Sequence, residues 1–326
     1  MATYLPEGYR TQCASAANFH TIASVRDAML SRQILESRAL VCDANHNLIV
    51  DLGCMKGMIP REECAIGIRE GTTRDIAILS KVNKPVCFRI TDVRADEKFR
   101  PYALLSRREV QEECKEHYLS SLKPGDIIRG KITHMESFGC FVDIGCGVIA
   151  LLPIDAISVS RISHPRDRFF TGQNIFTIVR AIEPDGRISL SHKELLGTWE
   201  ENAALFSPGE TVGGIIRSVE SYGVFVELTP NLAGLAECKE GVKVGQHASV
   251  FIKSLIPERM KVKLILVDTF DSDEPPAPLS YHLKEGHLDR FIYSPSVSSK
   301  TVETVFNLPA AAPAAVCSAG VQRSAT

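Results

Sequence analysis

One pattern of glycine and aromatic residues occurs twice with identical internal spacing, and it constrains the fold more than any other feature of the sequence. The first copy consists of Gly125, Gly130, Phe138, Gly139 and Phe141. The second copy follows 84 positions later and consists of Gly209, Gly214, Tyr222, Gly223 and Phe225. A shared offset of this kind indicates a repeated structural unit. The chain is therefore expected to contain at least two copies of one small domain.

The first copy lies in residues 125–191, where apolar residues alternate in five short runs. The runs cover residues 128–132, 138–144, 148–152, 175–182 and 188–190, and glycine or proline separates them. Alternation with a period of two predicts strands, and five strands at this spacing suit a small barrel. Gly130 and Gly139 fit the bends and bulges that allow such a barrel to close. The unit is predicted to be an OB-fold.

The phrase SFGCFVDIG places two aromatic residues three positions apart on a predicted strand. Strict alternation would send Phe138 and Phe141 to opposite faces of that strand. A bulge at Gly139 would bring both rings to one face, where they could stack on nucleic-acid bases; alternatively, one or both rings belong to the core. Basic residues follow and favour the stacking interpretation, namely Arg161, Arg166, Arg168 and Arg187.

The glycine pair G-x-x-x-x-G, the phrase SFGCFVDIG and the closing GRISLS occur in this order and resemble the RNA-binding repeat of bacterial ribosomal protein S-one. The resemblance covers about residues 36–267, and the connectors LSRREVQEEC and LSHKELLGTW resemble those of firmicute versions of that protein. In this family the binding face uses two aromatic residues, a histidine after the third strand, and an acidic and a basic residue around the last hairpin. The histidine is missing here, because its position holds Pro153, Glu237 and Pro60 in the three copies.

The resemblance implies a set of RNA-binding residues in two of the repeats. In the central repeat they are Phe138, Phe141, Glu183 and Arg187, and the basic residues Lys131, Arg161, Arg166 and Arg168 are assigned to the same surface. In the third repeat they are Tyr222, Phe225 and Lys261, with Glu258 left open as the acidic counterpart. The loop SVSRISHPRDRFFT, which carries three of the arginines, has no equivalent in the third repeat.

A more divergent copy precedes the other two. Its segment NHNLIVDLGCMKGMIPRE aligns with SFGCFVDIGCGVIALLPID through the shared V-D-[LI]-G. His46 and Ile49 stand where the central repeat has Phe138 and Phe141, so the barrel pattern is kept without the two rings. This copy is expected to be a docking module or a spacer, with little RNA affinity of its own.

The chain as a whole is predicted to be dominated by β-structure, as three tandem five-stranded OB-fold barrels joined by short α-helices, with a partly disordered C-terminal tail. The expected divisions are a lead-in with a short helix (1–35), a divergent repeat (36–106), a linker helix (107–122), the central repeat (123–192), a second linker helix (193–206), the third repeat (207–268), and a linker with a low-complexity tail (269–326). Two short segments before the low-complexity residues are expected to pack back or to bind a partner.

Helical spacing assigns further residues to the connectors. The lead-in helix is expected to share one face among Ile22, Val25, Met29 and Leu30, and the first linker helix among Val110, Cys114, Tyr118 and Leu122. Trp199, the only tryptophan, follows Leu195 and Leu196 at helical spacing. It is expected to fix one barrel against the next rather than to stack on bases.

Composition limits the class of protein. With 326 residues and a net charge of −2, the chain has room for two or three domains and no general basic coat, so RNA would be held by local patches and stacking. The ten cysteines form no C-x-x-C pair, which fits free thiols in a reducing cytoplasm better than a zinc ribbon or a disulfide scaffold. No apolar run reaches the length of a membrane span. His282 and His287 have no partners at ligand spacing, so no metal is expected.

The sequence contains no P-loop, no nucleophile elbow and no paired-carboxylate motif. Asp143 and Glu227 hold equivalent strand positions and are expected to be structural or to face solvent. The prediction is a cytoplasmic, cofactor-free RNA-binding protein without enzymatic activity that, as the resemblance implies, binds single-stranded mRNA at or near the small ribosomal subunit and supports translation. The alternative is an accessory subunit of an RNA-processing or transcription complex, in which the barrels bind protein as much as RNA.

Overall fold

Three five-stranded barrels follow one another along the chain. The computed structural model describes residues 4–10, 17–272 and 278–306, and the elements named below are those of these ranges. The first barrel consists of β1 (Leu35–Cys42), β2 (Leu48–Asp51), β3 (Lys56–Ile59), β4 (Pro85–Ala95) and β5 (Pro101–Ser106). The central barrel consists of β6 (Ile127–Glu136), β7 (Gly139–Gly145), β8 (Val148–Pro153), β9 (Asn174–Ile182) and β10 (Ile188–Ser191). The third barrel consists of β11 (Thr211–Glu220), β12 (Gly223–Thr229), β13 (Leu232–Ala236), β14 (His247–Ile256) and β15 (Lys261–Phe270).

All three barrels are closed and share one topology. The first three strands of each form an antiparallel meander, the fourth returns beside the first, and the fifth closes the barrel between the third and the fourth. The fifth strand runs parallel to the third, as in the pairing of Leu235 with Lys263. The predicted architecture of three five-stranded, OB-like barrels is confirmed.

Each barrel encloses its own apolar core, because alternate residues of every strand point inward. Ile132, Val142 and Leu152 lie at the centre of the central barrel and are almost without solvent contact. Gly130 lies so close to Val142 that a Cβ atom there would be 2.5 Å from its Cγ1. Gly214 stands in the same relation to Val226, at 2.6 Å. The repeated glycine thus fits a strand crossing that leaves no room for a side chain.

Four short α-helices accompany the barrels within the described ranges: α1 (Ile22–Leu30), α2 (Ile76–Leu79), α3 (Arg108–His117) and α4 (Trp199–Ala203). In α3, Val110 and Cys114 are buried as the spacing predicts. The prediction for α1 is only half right: Val25 is buried, whereas Leu30, at the last position of the helix, is 77% exposed. Trp199 lies in the core of the third barrel, and its backbone N–H donates to the carbonyl oxygen of Tyr293.

Residues 278–306, which we call the C-terminal clasp, differ most from the prediction of a linker and tail. They contain the two-stranded sheet of β16 (Arg290–Ile292) and β17 (Glu303–Val305) and pack on two barrels. On the central barrel, the N–H of Leu288 donates to the carbonyl oxygen of Gly125 at 2.9 Å. On the third barrel, the hydroxyl of Tyr293 donates to the carbonyl oxygen of Asn231 at 2.6 Å. The expectation that this segment packs back is confirmed, and the predicted low-complexity tail after about residue 308 lies outside the described residues.

A second set of contacts joins the first barrel, α3 and the central barrel through residues 4–10. The carboxylate of Glu7 is buried there and accepts hydrogen bonds from Arg107 Nε at 2.6 Å and from Lys81 Nζ at 2.8 Å. Its backbone N–H donates to Asp143 Oδ2 at 2.8 Å. Burial alone raises the pKa of Glu7, but the charges of Arg107 and Lys81 outweigh it and hold that pKa well below its usual range. We call this cluster the Glu7 junction.

Three expectations from the sequence concern the cysteines, membrane helices and metal sites of the described residues. Every cysteine there has a free thiol, and five of them, Cys64, Cys87, Cys114, Cys140 and Cys146, are buried. None of the described helices has the length and hydropathy to cross a bilayer. The same residues contain no cluster of three or more potential metal-binding side chains, and His287 instead contacts Asp126 at 2.6 Å.

Candidate nucleic-acid interface

The two aromatic rings of the central repeat lie together on the surface of the barrel. Phe138 occupies the turn between β6 and β7, and Phe141 lies on β7. Their ring centroids are 6.0 Å apart and their planes meet at 88°, an edge-to-face pair. Phe138 is 54% exposed and Phe141 is half-buried, so neither ring belongs to the core. The pair is accessible to solvent, as a base-stacking surface requires.

The rings share a face for a reason other than the predicted bulge at Gly139. The ladder between β6 and β7 is continuous at that glycine, which pairs with Glu136, and its irregularity lies on β6 between Ile132 and His134. Phe138 precedes β7, so the alternation of strand residues does not apply to it. Gly139 is required by a close approach instead, because a Cβ atom there would lie 2.4 Å from the carbonyl oxygen of Leu152.

The third barrel repeats this arrangement. Tyr222 and Phe225 have ring centroids 6.1 Å apart at 88°, and Tyr222 is 67% exposed. A Cβ atom on Gly223 would lie 2.6 Å from the carbonyl oxygen of Ala236, the same constraint as in the central barrel. Two barrels therefore carry the same exposed ring pair on the same topological element.

The first barrel lacks the pair, as its sequence predicts. His46 lies in a turn at a φ of 62°, and Ile49 holds the strand position of Phe141. Both side chains are half-buried. Without rings at these two positions, the first barrel cannot form an equivalent stacking surface.

His134 is a further ring of the central surface that the sequence reasoning missed. It pairs with Phe141 across the β6–β7 ladder, and the two rings are nearly parallel, at 26°, with centroids 6.1 Å apart. Its Nε2 atom lies 2.6 Å from the carboxylate of Glu136, which fixes the ring. Its position four residues before Phe138 in a predicted hairpin could have indicated that it lies near the ring pair. The irregularity after Ile132 changes which face of β6 it occupies, so simple alternation does not predict that face.

The charged residues of the last hairpin of the central barrel lie in solvent. Glu183 and Arg187 flank the turn between β9 and β10, and both are exposed. Arg187 Nε donates to Asp185 Oδ2 at 2.6 Å. In the third barrel, Lys261 is exposed at the start of β15, and Glu258 is exposed in the preceding turn.

Arg168 requires a correction, because its guanidinium is buried rather than available to a phosphate. Its side chain is 4% exposed and forms an ion pair with Glu227 of the third barrel, which also accepts a hydrogen bond from Arg217 Nε at 2.8 Å. Arg161 and Arg166 are exposed on the same loop, as an RNA contact requires. The loop itself docks on the third barrel: Ser160 N–H donates to the carbonyl oxygen of Pro230. The loop therefore also joins the central barrel to the third barrel.

Lys131 also lies elsewhere than predicted. Its Nζ atom donates to the carbonyl oxygen of Glu7 at 3.0 Å, and residues 4–10 cover it.

The two carboxylates at equivalent strand positions, Asp143 and Glu227, are structural. Of the two expectations, a structural role or exposure to solvent, the structure agrees with the first. Asp143 accepts hydrogen bonds from the backbone of Gly145 and Gly147, and Glu227 pairs with arginines as described.

The central barrel matches a known family of domains. The profile described as S1 RNA binding domain matches residues 121–193. The central barrel is an S1 RNA-binding domain. The matched segment includes Phe138, Phe141 and Arg187, and together with the relatives described next it confirms the predicted resemblance to the bacterial ribosomal protein S1 family.

Curated relatives extend the similarity beyond the central S1 domain. The small ribosomal subunit protein bS1 of Staphylococcus aureus is 30% identical over 188 residues, which are 52% of this chain and 48% of the relative. The bS1 homologue of Bacillus subtilis is 29% identical over 236 residues, which are 70% of this chain and 57% of the relative. The chain thus spans about half the length of the curated relatives it matches. A crystal structure of a multidomain protein with nucleic acid binding domains from Streptococcus pneumoniae is 15% identical to this chain. The matched region is 74% of this chain and 76% of the chain in that crystal structure, and the TM-score of 0.25 is too low for any conclusion.

Proposed function

We propose that this protein binds single-stranded RNA, mRNA in particular, through its central S1 domain and its third barrel, without catalysis. The observation that carries the proposal is the pair of matching exposed ring surfaces, Phe138 with Phe141 and Tyr222 with Phe225. Aromatic surfaces of this kind stack on bases and tolerate many sequences. The relatives are small-subunit ribosomal proteins by name, so we place the function in the cytoplasm, at or near the small ribosomal subunit, in support of translation.

The mechanism combines stacking with phosphate contacts on two barrels that are held together. The contact of Arg168 with Glu227 and the C-terminal clasp both join the central barrel to the third barrel. A strand bound on one barrel is therefore presented to the other at a high local concentration, and two weak sites give a stronger combined affinity. Arg161, Arg166, Arg187 and Lys261 are the cations proposed to contact phosphates.

The first barrel supports a second candidate function, that of an accessory subunit in an RNA-processing or transcription complex. At the position of the ring pair this barrel presents aliphatic side chains: Val41 is 54% exposed, and its neighbours Ile49 and Met58 are half-buried. An apolar surface of this kind suits a protein partner better than RNA.

The first test compares the affinity of the full chain for a single-stranded RNA and for the corresponding duplex by fluorescence anisotropy. Binding of the single strand at least tenfold tighter is expected, because duplex bases are not free to stack on the rings. Co-sedimentation with small ribosomal subunits then separates the two candidates. Association with the subunit supports the translational role, and RNA binding without it supports the accessory subunit.

Neutralising Arg161 and Arg166 is expected to lower the salt dependence of RNA binding. Each phosphate contact on a single strand contributes about 0.7 to the slope of log K against log salt, so loss of both contacts lowers the slope by roughly 1.4. The measurement is an anisotropy titration of the double glutamine variant at several salt concentrations. Arg74→Gln, an exposed change on the first barrel, is the matched control and keeps the slope. An unchanged slope in the double variant would show that the loop serves only to dock the third barrel.

A further inference from the structure

The outward faces of the barrels can be compared residue by residue along one row of cross-strand neighbours. In each barrel the row takes one residue from the first, second, third and fifth strand. In the central barrel the row is His134, Phe141, Leu151 and Ser189. In the third barrel it is Ser218, Phe225, Leu235 and Lys263. The second and third positions are alike in the two barrels, and the two ends differ in chemistry.

We propose that the two barrels hold RNA in different ways: the central barrel binds an additional base through His134, and the third barrel binds the phosphate backbone through Lys263. This inference rests on the proposed function, because it assumes that RNA lies across the ring pairs. It assigns an additional base contact to His134 at one end of the row and an additional phosphate contact to Lys263 at the other end.

The first step of the argument concerns the ring at the β6 end of the row. His134 is exposed, and its ring is nearly parallel to that of Phe141. Together with Phe138 it makes a surface of three rings, whereas Ser218 leaves the third barrel with two. The contact with Glu136 holds the imidazole in place before RNA arrives, so less side-chain entropy is lost on binding. A third fixed ring offers a stacking position for one more base.

The second step concerns charge at the opposite end of the row. Lys263 is exposed and follows Lys261 on the same face of β15. Neither lysine has an ion pair with any residue in the described part of the chain. In the central barrel, Ser189 lies on the matching strand β10 and Arg187 immediately precedes that strand. Arg187 is paired with Asp185. Each phosphate that a lysine neutralises releases counterions, so Lys263 adds to the part of the salt dependence that the third barrel contributes.

The experiment exchanges the ends of the row in the full chain. His134→Ser gives the central barrel the residue of the third, and Lys263→Ser gives the third barrel the residue of the central. Anisotropy titrations with one single-stranded oligonucleotide, oligouridylate of twelve nucleotides, are repeated at several salt concentrations. Because both side chains are exposed, we expect the melting temperature of each variant to stay within about 2 °C of the unchanged protein.

The two variants are expected to differ in kind. His134→Ser weakens binding about five- to tenfold at every salt concentration with the same slope, since stacking neutralises no phosphate. Lys263→Ser lowers the slope by about 0.7, so its effect is largest at low salt. The converse variant, Ser218→His, adds a ring to the third barrel and strengthens binding about fivefold.

Three results would overturn the inference: unchanged affinity in His134→Ser, an unchanged slope in Lys263→Ser, or the same change in slope for both. Failure of the proposed function is recognised separately. If replacing Phe138 and Phe141 by alanine leaves RNA binding intact, RNA does not bind at the ring pairs and the proposed function fails. If that double variant loses binding while His134→Ser does not weaken it, only the additional role of His134 fails.

Discussion

Replacing Phe138 and Phe141 together by alanine is expected to weaken RNA binding by the full chain at least tenfold and to leave the salt dependence of binding unchanged. Each ring–base stack contributes about 1–3 kcal/mol, and two rings are lost. No cation is removed, so the number of counterions released on binding stays the same. Anisotropy titrations at three salt concentrations measure both quantities.

The control for this variant is its thermal unfolding. Both rings contact solvent, so their removal leaves no closed cavity and the melting temperature should change little. Rings in a core would behave differently, since each Phe→Ala change would then cost about 3–5 kcal/mol and unfold a small barrel. Ile49→Ala, at the same strand position of the first barrel, should leave RNA affinity unchanged. A destabilised double variant, or one that binds normally, would contradict the stacking surface.

Removal of the Glu7 carboxylate is expected to destabilise the protein by about 3–5 kcal/mol, the usual cost of breaking a buried ion pair at one partner. The side chain of Arg107 is 2% exposed, and in Glu7→Ala its guanidinium loses the carboxylate that it contacts at 2.6 Å. Chemical denaturation at neutral pH measures the effect. The matched control is Lys81→Met, which removes a more exposed partner and keeps the pair of Glu7 with Arg107, so its loss should be smaller.

The same junction gives the pH dependence a defined direction. The pKa of Glu7 is depressed in the folded protein, so its contribution to stability is complete above the unfolded-state value of 4.5 and is lost as the pH falls below it. Asp143 acts in the opposite sense at higher pH, because burial and the neighbouring charge of Glu7 raise its pKa to about 6. We therefore expect the acid-dependent loss below about pH 4.5 to be smaller in Glu7→Ala than in the unchanged protein. Equal losses would show that Glu7 is not the titrating group.

The barrels could be predicted because the alternation of apolar residues that indicates each strand is contained in a few neighbouring residues. The alternation around Ile132 and Val142, and the glycines that permit close crossings, are properties of the sequence within each repeat. The exposed ring pair was predictable for the same reason, although the bulge proposed at Gly139 was wrong. Phe138 lies in the turn before β7, and this position, rather than a bulge, places its ring beside that of Phe141.

Contacts between distant parts of the chain account for what was missed. Arg168 was assigned to RNA because nothing near it in sequence shows that Glu227 would bury it. Lys131 was misassigned because residues 4–10 fold back over it from the far end of the chain. The packing back of the C-terminal clasp was expected, but the sequence could not show which barrel surfaces it covers. Each of these points depends on a tertiary contact between residues that are distant in the sequence.

The C-terminal clasp also fixes the order in which the protein is completed during its synthesis. Domains generally fold as they emerge, beginning at the N-terminus. The central barrel closes once Ser191 has been made, yet Phe306 must still reach it to pack on Ile178 and Leu195. Thr304 likewise donates to Glu194 across 110 positions of sequence. The nascent central barrel therefore keeps this apolar surface uncovered while the whole third barrel is translated, and the final residues of the clasp close it last.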